Sequence, residues 1–115
     1  MVKPHDAPSA AQLVESVREW LQTNAPAVAD VRFQYLKRVA INALSIVERE
    51  LAMGAEQAAA HAERLHTLGV ADDAELAAAI RSGELDDRMD EVRTLVWQSV
   101  RDKLTVANPK YLGSP

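Results

Sequence analysis

The segment from Asp30 to Met53 contains neither glycine nor proline, and it limits the possible folds more than any other stretch. Glycine and proline are the residues that most often interrupt a helix, so their absence predicts one long central helix. Gly54 follows directly, and glycine suits the left-handed backbone position just beyond a helix end. We therefore expect the central helix to end at Gly54.

Apolar residues of this helix fall on two separate lines when successive residues are placed about 100° apart. The first line consists of Phe33, Leu36, Ala40, Leu44, Val47 and Leu51. The second line consists of Val28, Val31, Tyr35, Val39, Ile46 and Met53. A helix with two apolar sides must be covered on both, either by its own chain or by another chain. The predicted interface residues are Tyr35, Val39, Ile46 and Met53.

Polar residues form a third line on the same helix. These candidate ligand-binding residues are Arg38, Asn42, Ser45 and Arg49. Two guanidinium groups beside an amide could bind a small anionic ligand, and a buried amide without a partner costs about 1–3 kcal/mol. The alternative is a solvated helix edge with one internal hydrogen bond, which is the more common role of such residues.

Four further helices are predicted from capping residues, apolar periodicity and glycines. Ser9 and Gln12 have the spacing of a capping box at the start of the first of them. The expected ranges are Ala10 to about Thr23, Ala55 to Leu68, Asp72 to Ile80, and Asp86 or Asp87 to about Ala107. The expected fold is therefore all-α, a compact bundle of three long helices and two short ones.

A chain of 115 residues is expected to form a single helical domain over residues 1–115. Pro4 and Pro8 indicate that residues 1–8 form an extended arm, and residues 113–115 are expected to be a loose tail. The part after Gly54 is rich in alanine, which buries little area for each residue. We therefore expect that part to contribute the weaker half of the core.

The composition excludes several classes of function. The chain has no cysteine, which excludes disulfides, thiolate metal sites and cysteine nucleophiles. Its net charge is -4 and lysine and arginine do not cluster, so we expect no nucleic-acid partner. There is neither a leader peptide nor a long uncharged apolar run, so we expect a cytoplasmic protein without a membrane partner.

Candidate catalytic and metal-binding residues are few. Glu63 and His66 have half of the spacing that di-iron bundles use, but those sites need a second such pair and two further carboxylates. His61 shares an apolar face with Leu65 and Leu68, where a histidine is more often a hydrogen-bonded core residue than a catalyst. Phosphate-binding glycine loops and hydrolase motifs are absent from the sequence. We therefore predict no catalytic residue, no metal and no cofactor.

The chain contains the blocks PHDAPSAAQLVESVREWL, RVAINALSIVERELAMG and KLTVANPKYL, of which the second and third are the more distinctive. In these blocks and in their order, it resembles a small bacterial family of unknown function. Members of that family are often encoded beside aminoglycoside-phosphotransferase-like kinases and acyl-CoA dehydrogenases, which implies an accessory role near acyl-CoA or phosphorylation chemistry. The resemblance implies no catalytic residue. The resemblance draws attention to eight positions within these blocks, namely His5, Asp6, Arg38, Asn42, Glu48, Asn108, Pro109 and Tyr111.

Three hypotheses about function follow. The first is a non-catalytic binding or accessory protein that forms a homo-oligomer or docks on a partner enzyme through the central helix. The second is a small-molecule-binding protein that uses Arg38, Asn42 and Arg49 to bind an anionic ligand. The third is an enzyme of unknown reaction, which would need His61 or a buried acid at the base of a pocket.

Overall fold

The computed structural model describes residues 8–23 and 30–113, and helices account for 88% of them. The elements are α1 (Ala10–Thr23), α2 (Val31–Thr67), α3 (Asp73–Ser82), a 3-10 helix (Asp86–Arg88), α4 (Met89–Ala107) and α5 (Pro109–Gly113). No strand occurs in these described ranges, so the all-α prediction is confirmed. Val28, the first seven residues of the predicted arm and the last two of the predicted tail lie outside the described residues.

Helix starts follow the local capping signals. The backbone N–H of Ser9 donates to Gln12 Oε1 at 2.8 Å, and the N–H of Gln12 donates to Ser9 Oγ at 3.2 Å. At the start of α3, the N–H of Glu75 donates to Asp72 Oδ1 at 2.8 Å. The Glu75 carboxylate in turn accepts from the N–H of Ala71 at 2.8 Å. These side chains bind N–H groups that have no partner inside a helix, so both predicted starts are confirmed.

Two helix ends also lie where the glycines predict them. Gly69 and Gly83 follow α2 and α3 with left-handed φ angles of 77° and 86°. Beyond Gly69, the N–H of Val70 donates to the carbonyl of Leu65 at 3.0 Å, as in a Schellman motif. Pro109 likewise follows the end of α4 and begins α5, at a position where its missing N–H costs nothing.

The expectation that Gly54 ends the central helix is wrong, because α2 continues from Val31 to Thr67. The glycines with positive φ in the described chain are Gly69 and Gly83, so Gly54 keeps right-handed helical backbone. Alanines are frequent after Gly54, and alanine has the highest helix propensity of all residues. Their preference outweighs the cost of about 1 kcal/mol for one glycine inside a helix.

Substitution of Gly54 by alanine therefore tests the continuous helix. We expect Gly54→Ala to raise the free energy of unfolding by about 0.5–1 kcal/mol, because alanine has less conformational freedom to lose. Gly69→Ala is the control, and we expect it to cost about 1–2 kcal/mol at its left-handed position. Urea denaturation followed by circular dichroism measures both, and a loss of stability in Gly54→Ala would contradict the continuous helix.

The chain divides into two units, Met1–Ala52 and Met53–Pro115. The second unit contains a core cluster of buried residues, namely Leu65, Leu68, Leu76, Ala79, Leu85 and Val92. The expectation that the part after Gly54 is the weaker half is therefore wrong. Turns at Gly69 and Gly83 let α2, α3 and α4 contribute to one cluster, and larger residues compensate for the small area that each alanine buries.

The first unit differs in its burial. None of its described residues is buried, and Leu36, Val47 and Leu51 of the first apolar line stay 51%, 42% and 47% exposed. The expectation that this line packs on a core is not met within the single chain. Because the other three residues of this line are half-buried, the chain itself covers it only in part.

Candidate functional site

Large apolar side chains of the first unit remain exposed to solvent. We call them the apolar surface: Leu13, Val17 and Trp20 on α1, and Val31, Tyr35, Leu36, Val39, Val47 and Leu51 on α2. The three α1 residues share one face, and each is exposed by about half, between 51% and 53%. Exposed apolar residues that share a helix face form larger patches than singly scattered ones, and such patches are typical of interaction sites.

The predicted interface residues divide into two groups. Tyr35 and Val39 belong to the apolar surface and are 57% and 47% exposed. Ile46 and Met53 are half-buried. An interface at all four positions stays a prediction, and the first pair is accessible to a partner.

The predicted ligand-binding residues lie along one helix. Arg38 and Asn42 are exposed, whereas Ser45 and Arg49 are half-buried. The Ser45 hydroxyl donates to the carbonyl of Ile41 at 2.9 Å, so it is engaged within α2. Arg49 also has an interaction within the protein. Binding of an anion by these four residues stays a prediction.

An ion pair connects α1 to α2 in the first unit. Arg18 Nε donates to Glu48 Oε1, and Arg18 Nη2 donates to Glu48 Oε2 at 3.3 Å. The hydrogen bond to Glu48 raises the pKa of Arg18, burial opposes the rise, and the charges of Glu48, Glu19 and Glu15 add to it. Nothing in the sequence spacing identifies Arg18 as the partner of Glu48, because the two residues lie on different helices.

A polar network occupies the second unit. His61 Nδ1 lies 2.7 Å from Ser99 Oγ, and His61 Nε2 lies 2.7 Å from Asp73 Oδ1. Arg64 Nη1 donates to Ser99 Oγ at 2.9 Å and to Asp102 Oδ2 at 3.0 Å. The side chain of Arg64 is 17% exposed, whereas that of Asp73 is 79% exposed. The network therefore joins α2, the start of α3 and α4.

The network has the connectivity of a serine, a histidine and an aspartate, but its surroundings favour a structural role. With His61 Nε2–H donating to Asp73, His61 Nδ1 accepts a hydrogen bond from the Ser99 hydroxyl, and Ser99 Oγ accepts one from Arg64. A nucleophilic serine also needs N–H donors for the developing oxyanion. Ser99 lies inside α4, where neighbouring backbone N–H groups are used by the helix.

Sequence reasoning found one member of this network and missed four. His61 is hydrogen-bonded as predicted, but its side chain is 36% exposed and is not part of the buried core. A signal exists in the spacing, because His61 and Arg64 are three residues apart, as are Ser99 and Asp102. Residues at this spacing share a helix face, but the sequence does not show that these two faces meet.

The alternative metal and catalytic sites gain no support from geometry. Glu63 and His66 are both exposed. Across residues 8–23 and 30–113, no group of three histidine, aspartate or glutamate side chains is placed to hold a metal ion. A shallow surface depression is lined by residues 86–91 and does not include His61. Within the same ranges, no helix combines the length and the apolar character needed to cross a bilayer.

Comparison with known proteins identifies a family for this chain. Residues 26–111 match the family model described as a domain of unknown function, DUF6285. This match includes α2, α3, α4 and most of α5. No curated protein and no solved structure matches the chain.

Proposed function

The chain belongs to the DUF6285 family, and on that premise we propose that it is a non-catalytic binding or accessory protein. Its apolar surface on α1 and α2 docks another protein. The observation that carries the proposal is the contrast between the two units. Buried residues of the described chain lie in the second unit, although Trp97 and Tyr111 there are 50% and 70% exposed. The first unit has no buried residue in its described part, and its Trp20 and Tyr35 are more than half exposed.

Burial of these side chains supplies the driving force for docking. Each Å² of apolar area removed from water contributes roughly 25 cal/mol, and aromatic residues dominate interface energies. Trp20 on α1 and Tyr35 on α2 are of the residue types most often found at the energetic centres of interfaces. We propose that they anchor the partner, with Val17 and Val39 packed beside them.

The proposed setting is the bacterial cytoplasm, and the proposed partners are a second copy of the chain or a neighbouring enzyme. The lack of cysteine fits a reducing compartment. The resemblance described above implies gene neighbours that encode aminoglycoside-phosphotransferase-like kinases and acyl-CoA dehydrogenases. These two classes are therefore the enzymes to test.

Light scattering after size-exclusion chromatography tests the proposal directly. The 12.6 kDa chain is measured alone and in mixtures with an aminoglycoside-phosphotransferase-like kinase and with an acyl-CoA dehydrogenase. We expect the chain either to have a mass above that of its monomer when measured alone, or to elute together with one of the two enzymes. A strict monomer that binds neither enzyme would remove the proposal.

Substitution of Val39 by aspartate tests whether the apolar surface mediates this association. We expect Val39→Asp to weaken association by at least about tenfold, because a carboxylate would be taken out of water without a partner. Val100→Asp is the matched control, since Val100 is 37% exposed on α4 in the second unit. Isothermal titration or sedimentation velocity measures both variants, and equal losses would place the docking surface elsewhere.

A further inference from the structure

Six residues of α2 lie on one line with the spacing of a coiled coil. We call this line the seam: Arg32, Leu36, Val39, Ala43, Ile46 and Glu50. The steps along it alternate between four and three residues, which is the a/d spacing that keeps one side of a helix against a partner helix. All six residues lie in the first unit, and each is exposed or half-buried.

The residues of the seam are arranged so that two antiparallel copies complement each other about its midpoint. The midpoint lies between Val39 and Ala43, with apolar residues on both sides and an opposite charge at each end. A two-fold axis there runs two copies of α2 antiparallel and brings the same surface of each copy together. The resulting layers are Val39 on Ala43, Leu36 on Ile46 and Arg32 on Glu50, each made twice across the two copies.

The two terminal charges are available for this pairing. Arg32 and Glu50 lie on the same side of α2, about five helical turns apart. Both are exposed, and neither side chain has a polar partner among the residues that the structure describes. In an antiparallel pair, Arg32 of each copy meets Glu50 of the other, so two ion pairs close the two ends of the apolar layers.

The contact with α1 leaves the seam accessible. Glu48, which binds Arg18 of α1, lies roughly 160° around α2 from Arg32 and Glu50. The face of α2 that binds α1 is therefore nearly opposite the seam. Leu36 and Val39 on the seam are 51% and 47% exposed, in keeping with an uncovered face.

We infer that the partner that covers Leu36 and Val39 of the apolar surface is a second copy of this chain, joined through antiparallel contacts along the seam. This inference rests on the proposed docking function and names its partner. A partner of unrelated sequence would not require the two ends of the seam to carry opposite charges around an apolar centre. A second copy does require opposite charges at the two ends, because Arg32 of each copy then contacts Glu50 of the other.

Exchange of the two charges tests the inference. The dissociation constant of the dimer is measured by sedimentation equilibrium for the wild type, Arg32→Glu, Glu50→Arg and the double variant, with circular dichroism to verify folding. We expect each single variant to weaken the dimer about fivefold or more, because like charges then meet at both ends. The double variant restores opposite charges and should return to within about twofold of the wild type.

Arg101→Glu is the control for Arg32→Glu. It makes the same change of charge at another exposed residue, but Arg101 lies on α4 in the second unit, so we expect little effect on the dimer. A wild type that is monomeric at about 100 µM would overturn the inference. Equal effects of Arg32→Glu and Arg101→Glu, or no recovery in the double variant, would also overturn it. A monomer that still binds one of the two enzymes through Val39 would leave the docking proposal intact.

Discussion

Leu68→Ala is expected to lower the free energy of unfolding by about 2–5 kcal/mol, the largest effect that we predict for a single substitution. Leu68 is only 4% exposed and belongs to the core cluster of the second unit. Truncation removes buried methyl groups and leaves a cavity that Leu65 and Leu76 beside it can fill only in part. Urea denaturation followed at 222 nm measures the change.

Leu51→Ala is the control for this experiment. It makes the same truncation on the same helix, but Leu51 is 47% exposed and lies in the first unit. We expect it to cost less than about 1 kcal/mol, because little apolar area is lost from a partly solvated site. Losses of similar size in the two variants would mean that the stabilising core is not confined to the second unit.

Arg64→Ala is expected to lower the free energy of unfolding by about 1–3 kcal/mol. The substitution removes the donor that Ser99 Oγ and Asp102 Oδ2 share, at 2.9 Å and 3.0 Å. Asp102 has a side chain that is 33% exposed, so its charge would stay partly desolvated without a partner. The loss of stability therefore comes largely from Ser99 and Asp102, which lose their hydrogen-bond donor.

Arg93→Ala provides the comparison for Arg64→Ala. Arg93 pairs with Asp90 at 3.1 Å on α4, where the two side chains are 71% and 103% exposed. Exposed ion pairs contribute little, so we expect a change within about 0.5 kcal/mol. Thermal and urea denaturation of both variants should separate them clearly. Comparable losses would show that the network of His61, Arg64 and Ser99 has no special part in joining the helices.

Local signals in the sequence were sufficient for most helix boundaries. Ser9, Asp72, Gly69 and Gly83 each act through residues within a few positions along the chain, so their effect is readable without a structure. Gly54 shows the limit of this reading. From the sequence alone, a glycine that ends a helix cannot be told from one that lies within it. At Gly54 the helix continues because the alanines that follow favour helix.

The side-chain partners within the two units could not be read in the same way. Glu48 binds Arg18 on another helix, and His61 binds Asp73 and Ser99. Such pairs depend on which helix faces pack together, and a single sequence does not show which faces do. The helix pattern predicted which residues share a face, and only the packed structure identified the residue opposite.

By itself, the sequence determined the all-α class, the capping of α1 and α3, the ends of α2 and α3, and two apolar sides on α2. These features arise from interactions between near neighbours in the chain. The tertiary structure decided that the buried core lies in the second unit and that the apolar surface of the first remains exposed. Burial of a residue depends on how many helices pack around it. The hydrophobicity of the sequence does not show how many helices pack around a given residue.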